Sequence, residues 1–264
     1  MKTQLISIFL LTSILALLMI PGCKGAGSGG DVVTEKKDVS NFNALDIGSA
    51  FEVDIRQSDT YSLTLHADES YIDYIEVTQT GNLLKIYLSP RHIFTDFTLG
   101  DRELRAEITL PDISQLVVSG ATKGTVTGFS SHSSLGVVVS GASTLKMDSI
   151  AAGITDIEVS GASTLTGNLT ASTVNFIISG ASSLELSGTA DIAGMEVSGA
   201  SHAQLEKFKT QAVTANVNGA SSATINVEQT LNVEVSGASS LYFIGNPTLG
   251  TTTISGASTI KHKD

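Results

Sequence analysis

The chain has no tryptophan, one cysteine, four prolines and only 15 basic residues against 26 acidic ones. Each scarcity excludes something. A lone Cys23 cannot pair within the molecule, so no disulfide framework holds the fold. A formal charge of −11 argues against nucleic acid and bare anionic lipid as partners, because both are bound through clustered Lys and Arg. Aromatic residues are 5% of the chain while hydrophobic residues are 41%. A core is therefore available, but it must be built from Val, Ile, Leu and Ala. Glycine (25 residues), serine and threonine are plentiful instead. Small, β-branched and hydroxyl-bearing residues at this level are an all-β composition, and 264 residues suffice for one large domain or two small ones.

The strongest signal is an internal repeat. The glycine of a Ser/Asn-Gly-Ala triplet falls at positions 120, 141, 161, 180, 199, 219, 237 and 256, at spacings of 18 to 21 residues. Two residues before it stand Val118, Val139, Val159, Ile178, Val197, Val217, Val235 and Ile254, all β-branched and aliphatic. Positions four before, four after and six after are also mostly apolar, with Leu116, Val137, Leu145, Leu165, Leu184 and Leu186 as examples. Polar residues occupy most positions between. This period of two on both sides of the glycine predicts strand, corner, strand, each strand with one face inward. The remaining stretch of each repeat is looser and is read as a third strand or a loop side.

A unit of this size cannot bury its own inner face, but stacked copies can. The pattern predicts a right-handed parallel β-helix with turns of ~19–20 residues, parallel crossovers taking the usual hand. Glycine supplies the permissive backbone of a sharp bend. The serines before and two after it are expected to form columns, each hydroxyl donating to one neighbour and accepting from another. The triplet is thus read as a structural corner. A polymer- or ice-binding lattice on the face three and five residues after the glycine is disfavoured, because Lys123, Lys146, Glu185, His202 and Tyr242 interrupt it.

The first 22 residues read as a leader: Lys2, then the apolar run Leu5–Ile20, too short for a spanning helix. The ending Ile20-Pro21-Gly22-Cys23 resembles the lipobox of bacterial lipoprotein precursors, which implies cleavage before Cys23 and lipid attachment to it. Residues 23–38 contain Lys24-Gly-Ala-Gly-Ser-Gly-Gly30, a flexible tether. Lys24, rather than Asp, follows the cysteine; by resemblance to lipoprotein sorting rules this points to the outer membrane, facing the periplasm or the cell surface. Loss of Lys2 with the leader leaves 14 basic against 26 acidic residues, so lipid on Cys23 is the expected membrane contact.

Residues 39–110 lack the triplet and hold all four arginines. They are read as an N-terminal β module, continuous with the repeats of 111–264 or capping them. Alternation marks strands at 51–56, 61–67 and 104–110, and a hairpin or tight corner at Gly81-Asn82; residues 67–75 read as a helical turn or loop, and 89–101 as an excursion whose Phe94 and Phe97 either make a contact or fold back on the core. The segment from Ile47 to Leu88, followed by Leu110 to Val126, resembles the head GIN domain, a family of auto-transporter adhesins. The marks are the Gly48-x-x-Phe51-x-Val53 strand, the Gly81-Asn82-x-Leu84-x-Ile86 corner and the Ser-Gly-Ala-Ser ladder. The resemblance covers about residues 39–260 and implies a right-handed β-helical fold and secretion; it brings no catalytic residues. The lipobox departs from an autotransporter, and a C-terminal translocating barrel is not expected.

Two function classes remain. The first is an adhesin-like binding or structural module, lipid-anchored in the cell envelope, with a glycan or protein ligand. The second is a carbohydrate-active β-helix enzyme, which would need carboxylates gathered on one face. Glu158, Glu196 and Glu234 share the position three before the glycine and form a sparse outward stripe, two turns or ~10 Å apart. The histidines, His66, His92, His132, His202 and His262, make no zinc spacing. No nucleophile elbow, P-loop, dinucleotide fingerprint or calcium loop is found, so no catalytic residue, metal ligand or cofactor is assigned. The open ends of a β-helix carry unpaired backbone groups, with only Lys261, His262 and Lys263 to guard the second end, so pairing of two copies there is also expected.

Overall fold

The computed structural model describes residues 31–89, 103–131 and 133–264. Lys2, Cys23, Phe94, Phe97, His92 and His132 therefore lie outside the described residues. The elements in order are β1 (Val32–Lys37), β2 (Ala44–Ile47), β3 (Glu52–Gln57), β4 (Ser62–Asp68), α1 (Glu69–Ile72), β5 (Ile75–Thr80), β6 (Leu83–Leu88), β7 (Leu104–Leu110), β8 (Gln115–Val118) and β9 (Lys123–Thr127). They continue with β10 (Leu135–Val139), β11 (Thr144–Val159), β12 (Thr164–Ile178), β13 (Ser183–Val197), β14 (His202–Val217), β15 (Ser222–Val235), β16 (Ser240–Ile244), β17 (Thr248–Ile254) and β18 (Thr259–His262).

Stacked parallel coils form a β-solenoid, as the repeat predicts. Strands preceding each corner stack in the order β6, β2, β8, β10, then the second halves of β11 to β15, then β17. Strands following each corner stack as β7, β3, β9, the first halves of β11 to β15, β16 and β18. The looser stretch is strand as well: β11 to β15 run unbroken through it. Register keeps equivalent residues level, so Val139, Val159, Ile178, Val197, Val217 and Val235 form one fully buried column.

The N-terminal module is both part of the stack and its cap. Ile47-Gly48-Ser49-Ala50-Phe51 is a corner without the triplet, level with Val118–Thr122. Ser49 and Ala50 take φ +64° and +61° there, the left-handed region that glycine normally fills. The β2–β3 coil is held between β6–β7 on one side and β8–β9 on the other. Antiparallel additions close that end: β5 on β6 as a hairpin, and β4 then β1 on β7. Asp68 caps α1 by accepting from the Ser70 amide at 3.0 Å.

The corner changes form along the stack. At Ser49–Ala50, Gly120–Ala121 and Gly141–Ala142 both residues have positive φ; from Gly161 onward only the glycine does. The alanine amide follows. Ala50 donates forward to Gly120 O (2.8 Å) and Ala121 to Gly141 O (2.9 Å), whereas Ala181, Ala200, Ala220, Ala238 and Ala257 donate backward to the preceding glycine carbonyl.

The column two after the glycine is buried from Thr122 through Ser239. Its bonding differs from the hydroxyl-to-hydroxyl chain expected from sequence. The amide of one coil donates to the hydroxyl of the next: Thr122 to Ser143 (3.2 Å), Ser143 to Ser163 (3.2 Å), Ser182 to Ser201 (3.3 Å) and Ser221 to Ser239 (3.3 Å). A buried amide needs an acceptor, and at the corner the strand ladder does not supply one.

Candidate functional site

The sheet preceding the corners offers an outer face on which parallel register sets like positions side by side. Glu158, Ile177, Glu196, Asn216 and Glu234 run in one row. The three carboxylates are exposed and alternate with Ile177 and Asn216, as the spacing predicts. None of them is in an ion pair among the described residues.

Gly194 breaks the row beside them. A Cβ there would come within 2.9 Å of Asn175 Oδ1, so the missing side chain lets the Asn175 amide lie over the next coil. Asn175 in turn donates to Asp156 at 2.8 Å. Thr214 and Asn232 continue the row, and Asn232 Oδ1 accepts from the Thr251 amide at 3.0 Å. Between these rows lies an open groove of about 480 Å³, bordered by Gly194, Glu196, Thr214, Asn216, Asn232 and Glu234.

Apolar residues complete the face. Ile154, Ile177 and Ile192 are 52%, 48% and 54% exposed. Ile154 and Ile192 share a row, separated by Thr173. Ile177 stands three before Gly180, in the position that the glutamates share, whereas spacing does not single out Ile154 and Ile192. Their signal is nonetheless present: they fall at outward parity, where a soluble sheet ordinarily carries polar residues. Exposed aliphatic side chains grouped with unpaired acceptors mark a surface suited to contact. As a hydrolytic pair the carboxylates are poorly placed. Adjacent ones are two coils, ~10 Å, apart on an open sheet, at the far end of the ~5–9.5 Å that glycosidic cleavage uses.

The opposite run, after the corners, carries Thr144, Thr164 and Ser183, then His202, then Ser222, Ser240 and Thr259 in register. Near the cap, Asp46 accepts from the Tyr87 hydroxyl and pairs with Lys85 at 3.0 Å. Gly48 makes room for the Tyr87 ring, since a Cβ at 48 would collide with it. Burial first, then the Asp46 carboxylate, pushes the Tyr87 phenol up to about 12. His66 lies between Thr34 (3.0 Å) and Glu107 (3.9 Å), on different strands from His202 and His262. Among the described residues no three His, Cys, Asp or Glu gather as a metal set, and no helix is long and apolar enough to cross a membrane.

The fold has close structural relatives. A "putative adhesin" from Parabacteroides merdae matches with a TM-score of 0.79 at 16% identity, over 90% of this chain and 98% of its own. A "putative lipid binding protein" from Parabacteroides distasonis matches with 0.79 at 17% identity, over 89% and 98%. A "putative adhesin" from Bacteroides fragilis gives 0.66 at 19% identity, over 88% and 97%. At these identities the likeness shows the fold alone. No curated protein sequence matches the chain. The family model described as "Putative auto-transporter adhesin, head GIN domain" matches residues 41–247, from just before β2 to just before β17, and the chain belongs to that family.

Proposed function

We propose that the protein is a cell-envelope binding module, anchored by lipid on Cys23 and presenting the outer face around Gly194 to a ligand. The observation that carries the reading is the combination on one rigid sheet of three exposed isoleucines, three carboxylates without an ion pair among the described residues, and a groove that two of them, Glu196 and Glu234, border. The solenoid holds these groups at fixed intervals, so binding costs little ordering of the protein. The adhesin description of the family supports a contact role at the cell surface. A protein surface with basic and apolar groups suits the face better than a glycan: sugars are commonly held on exposed aromatic rings, and the groove is lined by none. Residues 24–30 would serve as the slack between membrane and rod.

The test is an array of envelope proteins and glycans probed with the soluble chain, each spot read for retention and for cleavage. Retention without cleavage, lost when Glu196 and Glu234 are both changed to Lys, is the expected result. Cleavage of a polysaccharide would overturn it in favour of an enzyme. Separately, a Cys23→Ser variant should leave the membrane fraction and lose incorporation of labelled palmitate.

A further inference from the structure

The two ends of the solenoid are built differently. The first is finished with antiparallel strands whose outer edges carry charge: Glu35, Lys36 and Lys37 in β1, and Glu76 in β5. Charged edges discourage further strand pairing. The second end has no such finish. Among the described residues β17 pairs with β15 alone, which leaves its other edge free. Its seven residues, Thr-Leu-Gly-Thr-Thr-Thr-Ile, contain no charge and no proline, and all are exposed. Leu249 and Ile254, level with the buried Leu231 and Val235, are each 51% exposed, with no coil among the described residues stacked over them. The C-terminal residues do not cover the edge. Lys263 reaches back instead, its amide to Phe243 O (2.8 Å) and its Nζ to Glu206 in β14 (2.8 Å), which holds the Glu206 carboxyl below its usual range.

We infer that this end binds a second copy of the chain, β17 pairing antiparallel with β17 across a two-fold axis. The register follows from side-chain parity. Thr252 and Ile254 point inward, level with Val233 and Val235, while Thr251 and Thr253 point outward. Antiparallel partners must lie on the same face. Centring the axis on Thr252 satisfies this: Thr252 meets its own copy, and outward Thr251 meets outward Thr253. Inward Ile254 falls opposite the irregularity at Leu249–Gly250, so the half-exposed apolar side chains of the two copies cover one another. Charge favours the same occupant. Two copies at −11 repel over most of their surface, and β17 is an uncharged window through which they can approach. The outward side chains of Thr251 and Thr253 also border the groove of the ligand-binding reading, but the inference rests on the free edge of β17 and not on that reading.

The test uses residues 31–264, which contain every described strand, in sedimentation velocity over about a hundredfold range of concentration. The unmodified chain should pass from one-chain to two-chain mass. Two double variants then change the same two outward positions. Thr251→Lys with Thr253→Lys sets lysine against lysine across the axis and should abolish the two-chain species. Thr251→Lys with Thr253→Glu sets lysine against glutamate twice and should retain it, more weakly as salt rises. Circular dichroism establishes that both variants are folded. A one-chain mass throughout overturns the inference, as does a two-chain mass that responds equally to both variants.

Discussion

The Ser143 amide donates to the Ser163 hydroxyl across 3.2 Å, from one coil of the solenoid to the next, and both residues are 1% exposed. Ser163→Ala leaves that amide buried without an acceptor. Loss of such a partner costs about 1–3 kcal/mol, readable as a lower midpoint in urea unfolding. Ser160→Ala, three residues earlier on a half-exposed position, should stay within about 0.5 kcal/mol of the parent.

Thr155 makes the reverse case. Its side chain is fully buried, level with Leu135 and Val174, and its hydroxyl has no hydrogen-bond partner among the described residues. Valine has nearly the same shape and no polar atom. Thr155→Val is expected to raise stability by about 1 kcal/mol. An unchanged or lower midpoint would mean that the hydroxyl is satisfied in solution.

Glycine substitutions should separate conformational strain from collision. Gly81, at φ +60° in the β5–β6 hairpin, has open space within 4 Å of where an alanine methyl would sit, so Gly81→Ala should cost only the ~1–2 kcal/mol of a left-handed alanine. Gly180, at φ +78°, faces the Gly161 carbonyl oxygen, which a Cβ would strike. Gly180→Ala must push two coils apart and should cost about 4 kcal/mol or more. Paired thermal melts of the two variants give the comparison.

Tyr87 should leave a signature in alkali. Its phenol titrates at about 12 in the folded protein, against an ordinary value of 10.0. Between these values the unfolded chain has released a proton that the folded chain retains. The group's contribution is therefore complete below pH ~10 and is lost as pH rises through ~12. Absorbance of tyrosinate should show one tyrosine ionising late. Asp46→Asn should bring that step down, and Tyr87→Phe should remove it together with its share of the alkaline loss of stability.

The solenoid is legible in the sequence because each coil repeats one geometric demand. A sharp bend needs a permissive residue, and flanking strands need apolar side chains at alternating positions, so the residues from Val118 to Ile254 announce their column by spacing alone. The first corner escapes recognition as a coil because it meets the same demand in other letters. Gly48-Ser49-Ala50 places its left-handed residues at Ser49 and Ala50, and Phe51 replaces the buried hydroxyl. Its partner, β8, lies 71 residues downstream, too far for local periodicity to reveal. At the candidate site the glutamate row can be read from spacing, since parallel register converts equal position into adjacency. The groove cannot, because it arises where Gly194 lacks a side chain and Asn175 leans across, a relation between two coils.

The placement of β2–β3 between β6–β7 and β8–β9 sets an order of assembly. The coil that comes first along the chain has neighbours on both sides that come later, and its second neighbour is complete only at Thr127. From there on each coil needs only the one before it, some 19 residues back. Short loops close quickly and distant pairings slowly. The amino-terminal third thus emerges from a ribosome or a translocation pore as strands awaiting partners, while the carboxy-terminal coils can wind on one at a time. Deleting coils from the tail should shorten the rod; deleting Gln115 to Thr127 should leave the head with nothing to close against.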